Sequence, residues 1–228
     1  MTRRLLPLLL LLGACSSEPL PEGPQAGKAY FRQVGCVSCH RVGTQGSVTG
    51  PDLTFVGFRH SADWLDVWMK DPQAWKPDTL MPNTRLPDSA RRSIVAYLAG
   101  LKGQDAPPGR RAWDDASLKE PVARGRVLYA RAGCLACHGL GGKGGYPNNN
   151  VKGGVIPTLL KVSEGYNKAE LIKKIRHGVA RPEKADPKGA EPLVNMPAWG
   201  SVLDDGELDA VATYLLSLTP ADANAAGW

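Results

Sequence analysis

Residues 27–40 read GKAYFRQVGCVSCH, and residues 125–138 read GRVLYARAGCLACH. Gly27, Cys36, Cys39 and His40 thus return as Gly125, Cys134, Cys137 and His138, each at an offset of 98. Self-similarity at a fixed spacing marks one structural unit used twice. Further on, Met81-Pro82 answers Met196-Pro197 at an offset of 115, and Ala96-Tyr97-Leu98 answers Thr213-Tyr214-Leu215 at 117. The second copy therefore carries about 17 more residues between its cysteine motif and its methionine. Residues 103–118, GQDAPPGRRAWDDASL, are rich in Gly, Pro and charge and read as a linker.

Both copies predict the same order of elements. A short helix, 25–34 or 122–132, runs into the cysteine motif, and a Gly/Pro-rich loop follows. A middle helix comes next: 61–70, with Trp64, Leu65, Trp68 and Met69 on one side, and 167–177, with Leu171, Ile172 and Ile175. A Pro-punctuated loop then carries the methionine, and a last helix closes the unit. In the second copy Asp204 caps that helix, with Glu207 three residues on, and Leu208, Val211, Ala212, Leu215 and Leu218 recur at helical spacing. In the first, Asp88 is the expected cap and Ile94, Val95, Leu98 and Leu101 form the stripe. No segment alternates convincingly, so the expected class is all-α.

A CxxC pair alone has several readings: a redox disulfide, half a zinc site, or covalent haem attachment. A redox disulfide expects a βαβ setting, which the pattern lacks. A four-cysteine zinc site wants its pairs about 15–20 residues apart, whereas 94 residues separate Cys39 from Cys134. The histidine that follows each pair points to c-type haem. On a helical turn both sulfurs can add to haem vinyl groups, and the next residue, His40 or His138, stands under the iron as the proximal ligand.

With these motifs the chain resembles class I cytochromes c, in two tandem copies. The resemblance rests on Gly27, Cys36-Val37-Ser38-Cys39-His40, Gly50-Pro51-Asp52-Leu53, Met81-Pro82 and Tyr97. It repeats in Gly125, Cys134-Leu135-Ala136-Cys137-His138, Ile156-Pro157-Thr158-Leu159, Met196-Pro197 and Tyr214. The resemblance implies two covalently bound c-type haems. It implies that Gly27 meets Tyr97, and Gly125 meets Tyr214, where first and last helices cross. It also implies that Pro51 and Pro157 lend their carbonyls to the proximal histidines, fixing each ring and its tautomer.

For the far side of each iron the expected ligands are Met81, in PDTLMPNT, and Met196, in LVNMPAWG; both sit on irregular loops before proline. Met69 belongs to a helix stripe and is expected in the core. His60 and His177 are the competing ligands: His60 simply precedes a helix, and His177 lies near a helix C-terminus, where a cationic ring is favoured without any metal. Met/His ligation raises the reduction potential relative to bis-His and fills all six positions, so carriage of electrons is expected rather than catalysis. Trp64, Trp68 and Trp75 are expected to pack around the first haem and Trp199 around the second. Trp residues could also couple the haems. The glycine run 141–145 lacks the strand and helix of a phosphate loop and reads as a flexible loop, continued by Tyr146 to Asn150.

The N-terminus, MTRRLLPLLLLLGAC, has a basic start, an apolar run over 5–12 and small residues before Cys15. The run is too short to span a bilayer, which needs about 20 residues. Its end resembles the lipobox of bacterial lipoproteins, which implies cleavage before Cys15, lipidation of Cys15 and attachment on the periplasmic face. Ser16, in place of Asp, implies the outer membrane of a Gram-negative bacterium. The expected organisation is signal 1–14, tether 15–24, first domain 25–102, linker 103–118, second domain 119–220 and tail 221–228.

At 43% hydrophobic and 22% charged the composition is globular, which excludes wholesale disorder. The formal charge of +6 falls to +4 without Arg3 and Arg4, and four haem propionates would bring it near neutrality. The basic balance is therefore no argument for nucleic-acid binding. A local basic group, Lys168, Lys173, Lys174, Arg176, Arg181 and Lys184, reads as a solvated helix face or as a docking patch for an acidic redox partner. The expectation is thus an exported dihaem cytochrome relaying single electrons between a redox protein donor and acceptor, free or as a subunit of a quinol-oxidising complex or terminal oxidase. A dihaem peroxidase or a thiosulfate dehydrogenase-like enzyme is the alternative.

Overall fold

The computed structural model describes residues 21–103 and 118–220. Cys15 and the signal segment, linker residues 104–117 and the tail 221–228 lie outside the described residues.

The first half opens with α1 (Pro24–Gln33), which has proline at its first position, where no N–H is needed. It stops at Gly35, whose φ of 86° is the left-handed turn that ends many helices. A 3-10 turn, Cys36–Ser38, follows, then a hairpin of β1 (Arg41–Val42) and β2 (Gln45–Gly46). These strands are two residues long, too short to show alternation, and they are the only named strands among the described residues. Next come α2 (Val56–Arg59), α3 (Ala62–Lys70), α4 (Pro72–Trp75) and α5 (Asp88–Ala99).

The second half repeats the order with α6 (Pro121–Arg131), α7 (Leu135–His138), α8 (Val162–Gly165), α9 (Lys168–His177) and α10 (Asp205–Ser217). Asn167 and Glu170 form a capping box on α9, and Asp204 and Glu207 form one on α10. Ser61 caps α3 through the Trp64 N–H. Asp88 does not cap α5: Pro87 holds the N-cap position, and Asp88 is the first helical residue. The proline delivers extended backbone without a side-chain cap, and the Asp88 carboxylate accepts from Arg91 one turn on. An anion in a first turn is favoured by the helix dipole.

In each half the first helix packs across the last, α1 on α5 and α6 on α10. A Cβ on Gly125 would fall 2.0 Å from the Ala210 carbonyl oxygen and 2.7 Å from Tyr214 Cβ, so Gly125 meets Tyr214 as the resemblance implied. At Gly27 the atom nearest to such a Cβ is the Ser93 carbonyl oxygen, at 1.9 Å. Tyr97 lies one turn further along α5 and packs edge-on against Phe31. Phe31, Leu65, Met69, Ile94, Val95 and Leu98 fill the first core, which places Met69 inside as expected. Leu128, Tyr129, Leu171, Ile175, Leu208 and Val211 centre the second. Burying each such side chain contributes about 1.5–3 kcal/mol.

The halves are not merely strung together. Phe55, from the first half, is buried in the second core, and Phe58 packs edge-on against Trp199 with ring centroids 5.1 Å apart. Trp199, expected beside the second haem, is thus shared with the interface. No helix among the described residues is long and apolar enough to cross a membrane.

Candidate functional site

Both cysteine motifs are presented by the same local device. Gly35 and Gly133, with φ of 86° and 91°, break the preceding helix so that the chain immediately starts a new turn. In that turn the His40 N–H donates to the Cys36 carbonyl at 2.9 Å, and the His138 N–H donates to the Cys134 carbonyl at 2.9 Å. Residues three and four apart on a helical turn share a face. Cys36, Cys39 and His40 therefore lie together, as do Cys134, Cys137 and His138. None of these four cysteines is in a disulfide.

Each histidine ring is held from behind. His40 Nδ1 lies 2.9 Å from the Pro51 carbonyl oxygen, and His138 Nδ1 lies 3.4 Å from that of Pro157. A carbonyl can only accept, so Nδ1 carries the proton and Nε2 keeps its lone pair for a metal. Burial lowers the pKa of both rings, against the raising effect of the carbonyl bond. Both are therefore neutral near pH 7, as a ligand must be. Arg41 pairs with Asp52 at 2.7 Å and fixes the loop that carries Pro51. In the second half the Tyr129 hydroxyl donates to the Gly139 carbonyl at 2.6 Å, anchoring the residue after His138.

Burial raises the Cys36 thiol and pushes Cys134 up to about 12 and Cys137 to about 11, so all three stay protonated near neutrality. Among the described residues no group of three His, Cys, Asp or Glu side chains gathers as a metal site, so the cysteine pairs do not combine into a zinc cage. Two thiols and one neutral imidazole on a single turn, twice over, fit a covalently bound haem in each half.

The methionine loops are pinned differently. Met81 Sδ accepts from Trp68 Nε1 at 2.9 Å, its carbonyl from Gln73 at 3.0 Å, and its N–H donates to Thr79 at 3.3 Å. Met196 pairs with Val179 in an antiparallel bridge and packs against the second core. The stretch before it is clamped by three consecutive asparagines. Asn148 exchanges bonds with the Val194 backbone at 2.8 and 3.2 Å; Asn149 with Glu191 and Leu193 at 2.9 and 2.7 Å; Asn150 with Asp186 and Ala190 at 2.7–2.9 Å. The loop after the glycine run is thus a clamp for the residues that the second copy adds.

His60 sits between α2 and α3, just ahead of a helix as expected, but it is packed rather than solvated. It is 7% exposed, stacked on Trp64, and its Nε2 lies 3.9 Å from Cys137 Sγ. Arg59, beside it, donates to the Asp52 carbonyl at 2.7 Å and to the Ala132 carbonyl at 2.9 Å. His177 Nδ1 lies 2.8 Å from the Lys173 carbonyl of its own helix, the ordinary place for a C-terminal histidine. Trp64, Trp68 and Trp75 pack on one another. Of the basic group, Lys168, Arg176 and Lys184 are paired with Asp209, Asp205 and Glu191 at 2.6, 2.6 and 2.9 Å. Any docking patch rests on the remaining Lys173, Lys174 and Arg181.

Two helical units, each with a thiol pair and a braced histidine, define a protein that carries two covalently bound c-type haems. The family described as Cytochrome c matches residues 24–102 and again 122–219, and the chain belongs to that family in tandem. It is similar to the Cbb3-type cytochrome c oxidase subunit CcoP of Azospirillum sp. (strain B510), 27% identical over 84% of this chain and 61% of the relative. It also resembles cytochrome c oxidase subunit 2 of Alkalihalophilus pseudofirmus, 31% identical over 37% of this chain and 28% of the relative. Cytochrome c6 of Tetradesmus obliquus is 30% identical over 44% of this chain and 94% of its own length. The chain spans less than two thirds of the length of these oxidase subunits.

Proposed function

We propose that the chain carries single electrons between redox protein partners of a bacterial respiratory chain, as the dihaem part of a membrane oxidase assembly. In this reading Cys36/Cys39 and Cys134/Cys137 hold the haems, His40 and His138 are the proximal ligands, and Met81 and Met196 the distal ones. Cys15 bears the lipid that holds the protein at the membrane surface outside the cytoplasm. The observation that carries the reading is the pair of half-buried histidine rings, each with Nδ1 turned to a proline carbonyl. When bound, each haem supplies a one-electron iron couple whose potential is set by axial ligand and burial. The protein's part is to hold both faces of that group rigid and dry, so that little rearranges on reduction. The likeness to a subunit named for a cbb3 oxidase, across most of this chain, supports the complex over a free carrier.

The test is a redox titration with spectra of the purified holoprotein and of its Met81→Ala and Met196→Ala variants. Each variant should lose half of the methionine-to-ferric-iron charge-transfer band and lower one potential. An unchanged spectrum in either refutes that ligand. Cys15→Ser should release the protein from membranes, and oxidase subunits should co-purify with the unaltered protein.

A further inference from the structure

A continuous line of contacts joins the two haem-binding turns. Met81 Sδ accepts from Trp68 Nε1 at 2.9 Å. The Trp68 indole lies parallel to that of Trp64, with centroids 5.4 Å apart and planes at 12°. Trp64 stacks in turn on His60, at 3.7 Å and 14°. His60 Nε2 then lies 3.9 Å from Cys137 Sγ. Trp75 stands edge-on to Trp64 at 6.3 Å and holds the stack from the side. The line starts at the methionine assigned to the first haem and ends at a sulfur that binds the second.

Packing alone would not select these side chains. Trp64 Nε1 and His60 Nδ1 are buried without hydrogen-bond partners. Burying unpaired polar atoms is unfavourable, and a hydrocarbon of similar size would fill the space without that penalty. Three successive rings here lie nearly parallel, one of the two arrangements that aromatic pairs favour. Parallel stacking gives the largest overlap of neighbouring π systems, and tunnelling decays less steeply through overlapping orbitals than across gaps.

We propose that Met81, Trp68, Trp64, His60 and Cys137 form the electron path between the two haems. This rests on the reading of the chain as a two-haem electron carrier. The step moves one electron, oxidising one iron and reducing the other. No bond forms or breaks and no proton moves, and the rings mediate without being oxidised themselves.

The experiment uses the holoprotein, half-reduced by a one-electron pulse, and follows redistribution between the haems. Trp64→Leu should slow redistribution severalfold, by more than the measured change in the two potentials accounts for, while both haems load and the hydrodynamic radius stays unchanged. It should also remove the coupled-indole signal from the near-ultraviolet circular dichroism. Trp64→Phe and His60→Phe, which keep a ring in place, should retain most of the rate. An undiminished rate in Trp64→Leu with both haems loaded overturns the path, as does absence of the coupled-indole signal from the unaltered protein. Should Trp64→Leu fail to load both haems, Trp64→Phe is compared with Trp64→Met: faster transfer with Phe supports the path, and equal rates overturn it. The carrier reading fails separately, through a missing methionine–iron band or missing haem, which these rate comparisons do not touch.

Discussion

The Arg59 guanidinium donates to the carbonyl oxygen of Ala132 at 2.9 Å, and through that bond the first half of the chain grips the helix end that leads into Cys134. The same group donates to the Asp52 carbonyl at 2.7 Å, beside the proline that braces His40. One buried cation thus ties together the supports of both histidine turns. Arg59→Leu removes the donor from two buried carbonyls, a loss of about 3 kcal/mol at the usual value for charged hydrogen bonds. For a chain of this size that lowers Tm by about 6–12 °C, readable by calorimetry of the holoprotein. Arg59→Lys keeps the charge but cannot reach both carbonyls from one amine, and should fall between.

The helix crossings have no room for a methyl group. Gly27→Ala and Gly125→Ala place Cβ against backbone carbonyls at 1.9 and 2.0 Å. Backbone cannot step aside as a flexible side chain can, so each should destabilise by about 3 kcal/mol, well beyond the gain of about 1 kcal/mol from better helix propensity. Gly165→Ala, on α8 with nothing within 4 Å, is the control and should be neutral or slightly stabilising in the same melts.

Asn148 is the buried member of the asparagine clamp, 5% exposed. Asn148→Ala strands both the Val194 N–H and its carbonyl, which costs about 2 kcal/mol. The effect should be local. On heating, the methionine–iron band assigned to the second haem should disappear at a lower temperature than in the unaltered protein, while that of the first haem holds.

Burial, aided by the nearby Arg59 charge, depresses His60 from 6.5 to about 3. The folded state therefore holds this ring neutral while the unfolded chain takes up a proton below pH 6.5. The stabilisation is complete above that pH and is lost as pH falls from 6.5 toward 3, with a limiting slope of about 1.4 kcal/mol per pH unit. His60→Phe cannot titrate. Denaturant melts at pH 7, 6, 5 and 4 should show a shallower decline for the variant, and parallel declines would refute the assignment.

The haem turns are legible in the sequence because their chemistry is local. Two cysteines and a histidine within five residues, repeated, admit few uses, and the helix stripes around Ile94 and Leu208 announce which faces are buried. Gly35 and Gly133 are visible too, each directly before a cysteine, and their repetition is the signal for a shared helix break. The rest depends on contacts between distant residues. Nothing in the run GFRHSAD says that His60 touches Cys137, because no periodicity links residues 77 apart in sequence. Asn148 to Asn150 read as an ordinary polar loop, since asparagine is common in turns and its partners lie more than thirty residues away. Asp88 misleads for the opposite reason: its local signal is real, but the proline before it has already set the entry angle.

Phe55 lies inside the core of the opposite half, with Phe58 against Trp199 beside it. Severing the chain at residue 110 would therefore not yield two self-sufficient fragments. Each would keep an oily scar where its neighbour had been. What began as duplication has become mutual dependence, and the pair should melt as one cooperative body.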